Sequence, residues 1–130
     1  MAYFDKVIDN PISSVTIGKK KHYLSGNLFY SNVHFAVRSK VVGTVKKFFF
    51  PFFVDCPKFT TPIGVSLTFQ RIDGRKFDLD NKLYFYYKVL ADLLVKMEKI
   101  PDDDVSVVQQ IIFNYRKGEP KLIVKIFPLI

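Results

Sequence analysis

Residues 65–99 combine an alternating apolar segment with a long helical pattern, and they constrain the fold more than any other stretch. Val65, Leu67 and Phe69 alternate with polar side chains, which predicts a strand with one buried face across residues 65–70. From residue 81 to about residue 99, apolar side chains recur every three or four positions, which predicts an amphipathic helix. A strand that runs into such a helix favours a helix packed on a sheet.

Further elements are predicted on both sides of this unit. Apolar residues recur every four positions between residues 27 and 50, which favours a second helix. Prolines then predict a loop across residues 51–63 that no helix crosses. Residues 105–116 and 121–127 are rich in Val, Ile and Phe and flank turn residues, which predicts a β-hairpin. The first 25 residues are expected to form a basic N-terminal arm, irregular or short-stranded.

The size and composition of the chain indicate one domain. The sequence has 130 residues, of which 48% are hydrophobic, enough for one sizeable core. We therefore expect an α+β fold, with a single small domain over residues 1–130 in which a mixed β-sheet packs against two main helices.

Acidic residues stand at the junction between the predicted strand and its helix. If the chain is extended there, Asp78 and Asp80 point to the same side, because residues of like parity share one face of a strand. Such a pair can hold a hard divalent cation, and Asp102-Asp103-Asp104 offers further carboxylates after the helix. Two alternatives stay open: Asp80 or Asn81 caps the helix, and residues 102–104 form a solvated turn.

The charge of the chain favours an anionic partner. The net charge of +8 suits a nucleic-acid backbone, although a ribosomal or membrane-surface protein would have a similar total. Lys19, Lys20, Lys21, Arg75 and Lys76 are candidates for contacts with DNA phosphates, and a solvated loop is the alternative for the three adjacent lysines.

Cysteine content and hydropathy restrict the setting. Cys56 is the only cysteine, which excludes an internal disulfide and a Cys-rich zinc site. The amino terminus has no signal-peptide pattern, and the longest apolar run, residues 48–54, is short and contains a proline. We therefore expect that the protein is cytoplasmic and that it makes no contact with a membrane.

The acidic residues and their order along the chain resemble the RusA family of Holliday junction endonucleases. The likeness covers about residues 64–127, with Asp78-Leu79-Asp80-Asn81 first, then Ala91-Asp92-Leu93 on the helix, then Asp103-Asp104-Val105-Ser106-Val107. The resemblance implies a RusA-like fold and a homodimer that resolves four-way junctions or other branched DNA by paired symmetric nicks. It also implies a Mg²⁺-dependent enzyme, with Mn²⁺ as a possible substitute, in a bacterial or phage-infected host cell.

The resemblance also assigns site residues. Asp78, Asp80 and Asp104 correspond to the catalytic, metal-binding acids of the family, with Asp103 as the alternative to Asp104. The family has a catalytic lysine four residues after the second acid, but this chain has Tyr84 there. Lys88, one helical turn later, takes the role in this prediction, and Lys82 is the alternative and a further DNA contact.

Two other functions fit the same residues. In one, the chain is a non-catalytic basic DNA-binding protein whose acids serve as caps and turn residues. In the other, it is an inactive RusA-like homologue, an alternative that the displaced lysine makes relevant.

Overall fold

The structure, a computed structural model, describes residues 3–30, 33–72 and 76–129, without the side chain of Tyr30. It contains three helices and six strands, named in chain order: β1 (Phe4–Asp9), β2 (Ser14–Ile17), β3 (Lys20–Tyr23), α1 (Asn27–Tyr30), α2 (Phe35–Phe53), β4 (Ile63–Arg71), α3 (Leu79–Lys96), β5 (Val108–Lys117) and β6 (Lys121–Pro128). The main sheet has the order β1-β6-β4-β5, in which β4 and β5 are parallel and the other pairs are antiparallel. Strands β2 and β3 form a separate antiparallel pair.

The predicted α+β fold, with a mixed sheet and two main helices, is confirmed. Tyr86 of α3 lies between the other layers, since its ring is 5.8 Å from that of Phe49 on α2 and 6.3 Å from that of Phe69 on β4. At the far end of α2, the ring of Phe53 is 5.6 Å from that of Phe4 on β1. Aromatic side chains therefore join both helices to the sheet. No helix in the described part of the chain is long and apolar enough to cross a membrane.

Helix α2 crosses Pro51, so the predicted helix-free loop over residues 51–63 is wrong at its start. Val41, Val45, Phe49 and Phe53 recur every four residues, and all four have 0% exposure. A proline inside a helix costs about 3 kcal/mol. Burial of a phenylalanine contributes about 1.5–3 kcal/mol, so the two buried rings on either side of Pro51 offset that cost.

Strand β4 is buried on both faces, which corrects the prediction of a strand with one solvated face. Ser66 and Thr68 were assigned to the solvated side, yet they are only 9% and 8% exposed. Strands β5 and β6 pair with the two edges of β4, so longer side chains flank these two small ones on the same face: Ile112 and Lys125 beside Ser66, and Asn114 and Ile123 beside Thr68. An alternating pattern does not distinguish a central strand from an edge strand.

The predicted hairpin of the last two strands is wrong. Both β5 and β6 form, but β4 lies between them. The connection at residues 118–120 passes over the end of β4, where the Gly118 N–H donates to the Arg71 carbonyl at 3.0 Å. The Gln70 side-chain amide also donates to the Glu119 carbonyl, at 3.0 Å. Hydrogen bonds to β4 therefore replace the hairpin ladder.

The N-terminal arm is short-stranded, which is one of the two forms predicted for it, and it contains three strands. Strand β1 belongs to the main sheet and pairs with β6 along its whole length. Strands β2 and β3 form a hairpin whose two-residue turn contains Gly18 at φ 64°, a conformation that favours glycine. Lys19, Lys20 and Lys21 lie exposed at this turn and on β3.

The Tyr86→Phe substitution is expected to destabilise the fold by about 1–2 kcal/mol, because it leaves the Ile12 carbonyl without its donor. Tyr86 has 0% exposure, and its hydroxyl donates to that carbonyl. Urea unfolding measures the change. Tyr23→Phe is the control, since Tyr23 is 69% exposed. Equal stability of the two variants would show that the buried hydrogen bond contributes nothing.

The same phenol gives a pH dependence. Burial raises the pKa of Tyr86 above the usual tyrosine value. The stabilisation is therefore complete below a pH of about 10, where an unfolded tyrosine titrates, and is lost as pH rises toward the higher folded pKa. Tyr86→Phe should show a weaker loss of stability at alkaline pH than the unmodified chain.

Candidate functional site

The candidate site lies at the amino end of α3, where the chain leaves β4. Asp78 occupies the N-cap position with extended dihedral angles, φ −83° and ψ 111°, and its side chain forms no capping hydrogen bond. The helix begins at Leu79, so Asp80 lies in its first turn. This corrects two predictions: the segment is not extended through Asp80, and neither Asp80 nor Asn81 is the N-cap. Asp78 and Asp80 still lie together within one turn of the helix end.

Asp80 borders a shallow depression on the surface, here called the Asp80 depression. Its lining consists of Asp80, Asn81 and Tyr84 from α3 and Phe113 from β5, and its volume is about 240 Å³. The carboxylates of Asp78 and Asp80 are exposed, and neither forms a hydrogen bond or ion pair with a described residue. Two carboxylates are thus available to a ligand at this end of the helix.

Lys82 brings a partly buried cation to the same turn. It follows Asp78 by four residues, and such pairs are neighbours on a helix surface. Its ammonium lies 5.5 Å from the centre of the Phe69 ring and 5.6 Å from that of Tyr86. Desolvation lowers the pKa of Lys82, and the charge of Arg71 lowers it further. Lys82 forms no ion pair with any residue in the described ranges.

A second cation and two rings complete this end of the sheet. The Arg71 guanidinium lies 4.6 Å from the centre of the Phe77 ring. That ring makes edge contacts with Tyr115 at 5.5 Å and with Phe69 at 5.6 Å. Sequence reasoning missed Arg71, Phe77 and Tyr115. Arg71 and Phe77 flank the acidic junction and could have been considered, but only the pairing of Phe69 with Tyr115 across β4 and β5 brings in the third residue.

Asp104 lies in the turn that leads into β5. Its carboxylate accepts hydrogen bonds from the Ser106 N–H at 2.9 Å and from the Ser106 hydroxyl. These bonds lower the pKa of Asp104. The Val108 N–H donates to the Asp104 carbonyl at 2.9 Å. The structure therefore gives Asp104 a local role in the turn that begins β5.

Asp103, the alternative third acid, follows α3 in the chain and lies near Tyr87 of that helix. Its charge helps raise the pKa of Tyr87, after desolvation and together with Asp92. Both Asp103 and Asp104 precede β5, whereas the Asp80 depression is lined by Phe113 further along that strand. Phe113 lies five residues beyond the first residue of β5, or roughly 17 Å along the strand at 3.3 Å per residue. Within residues 3–30, 33–72 and 76–129, no three Asp, Glu, His or Cys side chains form a group that could hold a metal ion.

The remaining predicted residues belong to other elements or lie further along α3, except Lys76, which precedes Asp78 by two residues. Lys88 is half-buried on α3, eight residues after Asp80, which corresponds to about 12 Å along the helix axis. Lys76 is exposed just before Phe77, and Lys19, Lys20 and Lys21 belong to the β2-β3 hairpin. Arg75 lies outside the described residues. Of the candidate lysines on α3, Lys82 is therefore the one that lies in the same turn as the two acids.

The segment before α1 packs closely on the start of α3. The Gly26 N–H donates to the Asn81 carbonyl at 2.7 Å. A Cβ atom at Gly26 would lie 2.6 Å from the Asn81 side-chain oxygen and 3.1 Å from the ring of Tyr84. Both neighbours line the Asp80 depression. Sequence reasoning assigned no functional residue to this segment, because nothing local indicates a contact between residues 26 and 81.

Gly26→Ala is expected to lower stability by about 1–3 kcal/mol, because the added methyl group displaces Asn81 or Tyr84. Gly43→Ala is the control: its Cβ meets nothing within 4 Å, and alanine within a helix is about 0.5–1 kcal/mol more stable than glycine. Thermal unfolding of both variants measures the difference. If Gly26→Ala were as stable as Gly43→Ala, the close approach of Gly26 to α3 would be excluded.

The fold and the site define a small α+β protein with an acidic pair, a desolvated lysine and aromatic rings at one helix end. A scan against protein-family models found no matching family, and a search of curated proteins found no match. The likeness to the RusA family therefore rests on the residues and motifs quoted above.

Proposed function

We propose that this protein is a Mg²⁺-dependent endodeoxyribonuclease that resolves Holliday junctions or other branched DNA by paired symmetric nicks. The observation that carries this proposal is the amino end of α3, where the exposed Asp78 and Asp80 fall within the same five residues of the chain as the desolvated Lys82. Hydrolysis of a phosphodiester needs compensation for charge that develops on phosphate and on the leaving oxygen, and metal ions and lysines both provide it.

The donor set of the acidic pair suits Mg²⁺, with Mn²⁺ as a substitute. Mg²⁺ prefers oxygen ligands, keeps several waters and is often bound by one or two carboxylates together with substrate phosphate. Asp78 and Asp80 meet this requirement, since neither carboxylate is engaged by a described residue. When bound, the ion would activate water and stabilise the charged phosphate. Asp103 or Asp104 would join only after a rearrangement, because both lie at the start of β5.

Lys82 is the better candidate for the lysine of the site. It lies four residues from Asp78, and its ammonium lies over two aromatic rings instead of in bulk water. A partly desolvated cation interacts more strongly with phosphate than one in water. Lys88, one helical turn beyond the position of the family's lysine, stays the alternative. Asp78 and Lys82 lie four residues apart at the helix start, so both can face a single phosphodiester, whereas Asp80 is two residues from Lys82 and points to another side of α3.

The biological partner in this proposal is a four-way DNA junction. A junction is resolved by two symmetric nicks, and a homodimer with two-fold symmetry presents two copies of one site. The net charge of +8 provides attraction for the phosphate backbone, to which the exposed Lys19, Lys20, Lys21 and Lys76 would contribute. A cytoplasmic setting, in a bacterium or a phage-infected cell, is part of the same proposal.

A second function, DNA binding without cleavage, is supported by one observation. The Asp104 carboxylate bonds with Ser106 inside its own turn, as expected for a turn residue. An inactive RusA-like protein would combine the same fold with this role for Asp104.

Cleavage of a synthetic four-way junction in Mg²⁺, with a linear duplex of the same sequence as control, tests the proposal. Nicks at symmetric positions in the junction alone are the expected result. Equal cutting of the two substrates would exclude junction specificity. Binding without any nick in Mg²⁺ or Mn²⁺ would exclude the nuclease and leave the DNA-binding function.

A further inference from the structure

A second candidate binding surface lies on α2, outside the acidic site. We call it the α2 groove. It has a volume of about 330 Å³ and is lined by Phe29, Arg38, Ser39, Val42, Gly43, Lys46 and Lys96. Three of these side chains are cationic and none is acidic. The groove therefore combines a concave shape with positive charge.

The charges of the α2 groove lack acidic compensation. Helix α2 contains four basic residues and no acidic residue over Phe35–Phe53. The side-chain ammonium groups of Lys46 and Lys96 form no hydrogen bond or ion pair with any residue in the described ranges. Arg38 uses one of its N–H groups to donate to the Phe29 carbonyl at 3.1 Å, and a guanidinium has five such donors. Cations are thus available to an external anion.

Gly43 keeps the middle of the groove open. A Cβ atom at this position would meet nothing within 4 Å, so the space in front of the backbone is empty. Glycine inside a helix costs stability relative to alanine, and packing inside the protein does not demand it here. An open groove floor is a physical reason for glycine at this position, because a long side chain there would occupy the groove.

The α2 groove adjoins the Asp80 depression. Phe29 lines the groove, and its ring makes an edge contact with the ring of Tyr84 at 6.0 Å. Tyr84 in turn lines the Asp80 depression. A residue that lines one surface therefore contacts a residue that lines the other.

We infer that the α2 groove binds the phosphate backbone of a DNA strand next to the segment held at the amino end of α3. The inference rests on the proposed DNA substrate but not on cleavage. Lysine and arginine that neutralise phosphates release counterions, which makes the affinity depend on salt. The groove supplies up to three such contacts, from Arg38, Lys46 and Lys96.

The first test removes charge inside or outside the groove. Lys46→Gln/Lys96→Gln loses two groove cations, and Lys40→Gln/Lys47→Gln loses two exposed lysines of α2 that do not line it. Binding of a fluorescent four-way junction is measured in EDTA over a range of salt concentrations. The groove pair should lower the magnitude of the salt slope by about 1.4–1.8 and weaken binding about 25- to 60-fold at 0.1 M salt. The outer pair should change both much less.

The second test fills the groove without changing its charge. Gly43→Leu places a branched side chain in the open space, whereas Gly43→Ala adds one methyl group there. The leucine variant should bind the junction about five- to eightfold more weakly at 0.1 M salt, equivalent to the loss of one phosphate contact. The alanine variant should weaken binding much less than the leucine variant, because its side chain fills less of the groove. Thermal unfolding confirms that both variants are folded.

The outcomes separate this inference from the proposed nuclease. If the two double lysine variants weakened junction binding equally, the inference about the groove would be wrong, because the charge would then act only through the overall field of the protein. Unchanged binding by Gly43→Leu would overturn it as well. If the unmodified chain binds junctions without cutting them and the groove variants still lose affinity, the nuclease fails and the groove stands. If the unmodified chain binds no DNA, both fail.

Discussion

The Asp80→Asn variant is expected to cut a four-way junction in Mg²⁺ at least about 100-fold more slowly than the unmodified chain. Removal of a residue that only hydrogen-bonds a metal ligand already lowers metal affinity or activity about 10- to 100-fold. Asp80 is proposed as a direct ligand, so its loss should have a larger effect. The amide that replaces the carboxylate keeps its shape but removes the negative charge that attracts the cation. Single-turnover cleavage of a labelled junction measures the effect.

Binding distinguishes a catalytic effect from damage to the fold. Junction affinity in EDTA should stay within about threefold of the unmodified chain, or improve, because the substitution removes a negative charge near the DNA. Asp5→Asn is the matched control, since Asp5 is an exposed acid on β1, which lies at the opposite edge of the sheet from β5. If Asp80→Asn cleaved as fast as Asp5→Asn, Asp80 would have no part in the reaction.

The Lys82→Met variant is expected to lose about 100- to 1,000-fold in cleavage rate, a range typical for removal of a group that stabilises charge in the transition state. It should also unfold at a higher temperature than the unmodified chain. Methionine removes a charge that is costly to hold near the rings of Phe69 and Tyr86. A slower but more stable variant would point to a functional lysine and not to a structural one.

Lys88→Met is the matched comparison, with the same substitution two turns further along α3. It should change the cleavage rate by no more than about threefold. The reverse result, a large loss at Lys88 and none at Lys82, would assign the role to Lys88. In that case the lysine of the site would lie one helical turn beyond Tyr84, the position that corresponds to the family's lysine.

The pH profile gives a further test of Lys82. Because desolvation and the charge of Arg71 lower its pKa, Lys82 loses its proton at a lower pH than an exposed lysine does. Cleavage should therefore decline at a lower alkaline pH than an exposed lysine would produce. Lys82→Arg should extend activity to higher pH, since arginine stays protonated there. An unchanged alkaline limit in Lys82→Arg would exclude titration of this lysine as its cause.

Charge, periodicity and turn chemistry were enough to predict the α+β class, the helix after residue 80 and the strand before it. These features depend on neighbouring residues, and α3 starts two residues earlier than predicted, at Leu79, and ends about three residues earlier, at Lys96. The same local reasoning found Asp78 and Asp80 at the strand-helix junction. For Asp104 it left two roles open, and the hydrogen bonds of this residue to Ser106, two positions later, agree with the role in a turn.

The tertiary structure alone decided the strand partners, and with them the surroundings of the site. A local hairpin between β5 and β6 is the natural expectation from the sequence, but each of these strands pairs with one edge of β4 instead. That arrangement brings Phe113 to Asp80 and Tyr115 to Phe77.

What the sequence by itself determined is therefore the order of elements and the place of the acidic pair in that order. What only the tertiary structure decided is that Gly26 approaches Asn81, that Lys82 lies over two rings and that α2 passes through Pro51. The physical reason is the range of the interactions. Local periodicity reflects side chains within a few residues of each other, whereas burial and strand pairing join segments that are far apart in the chain.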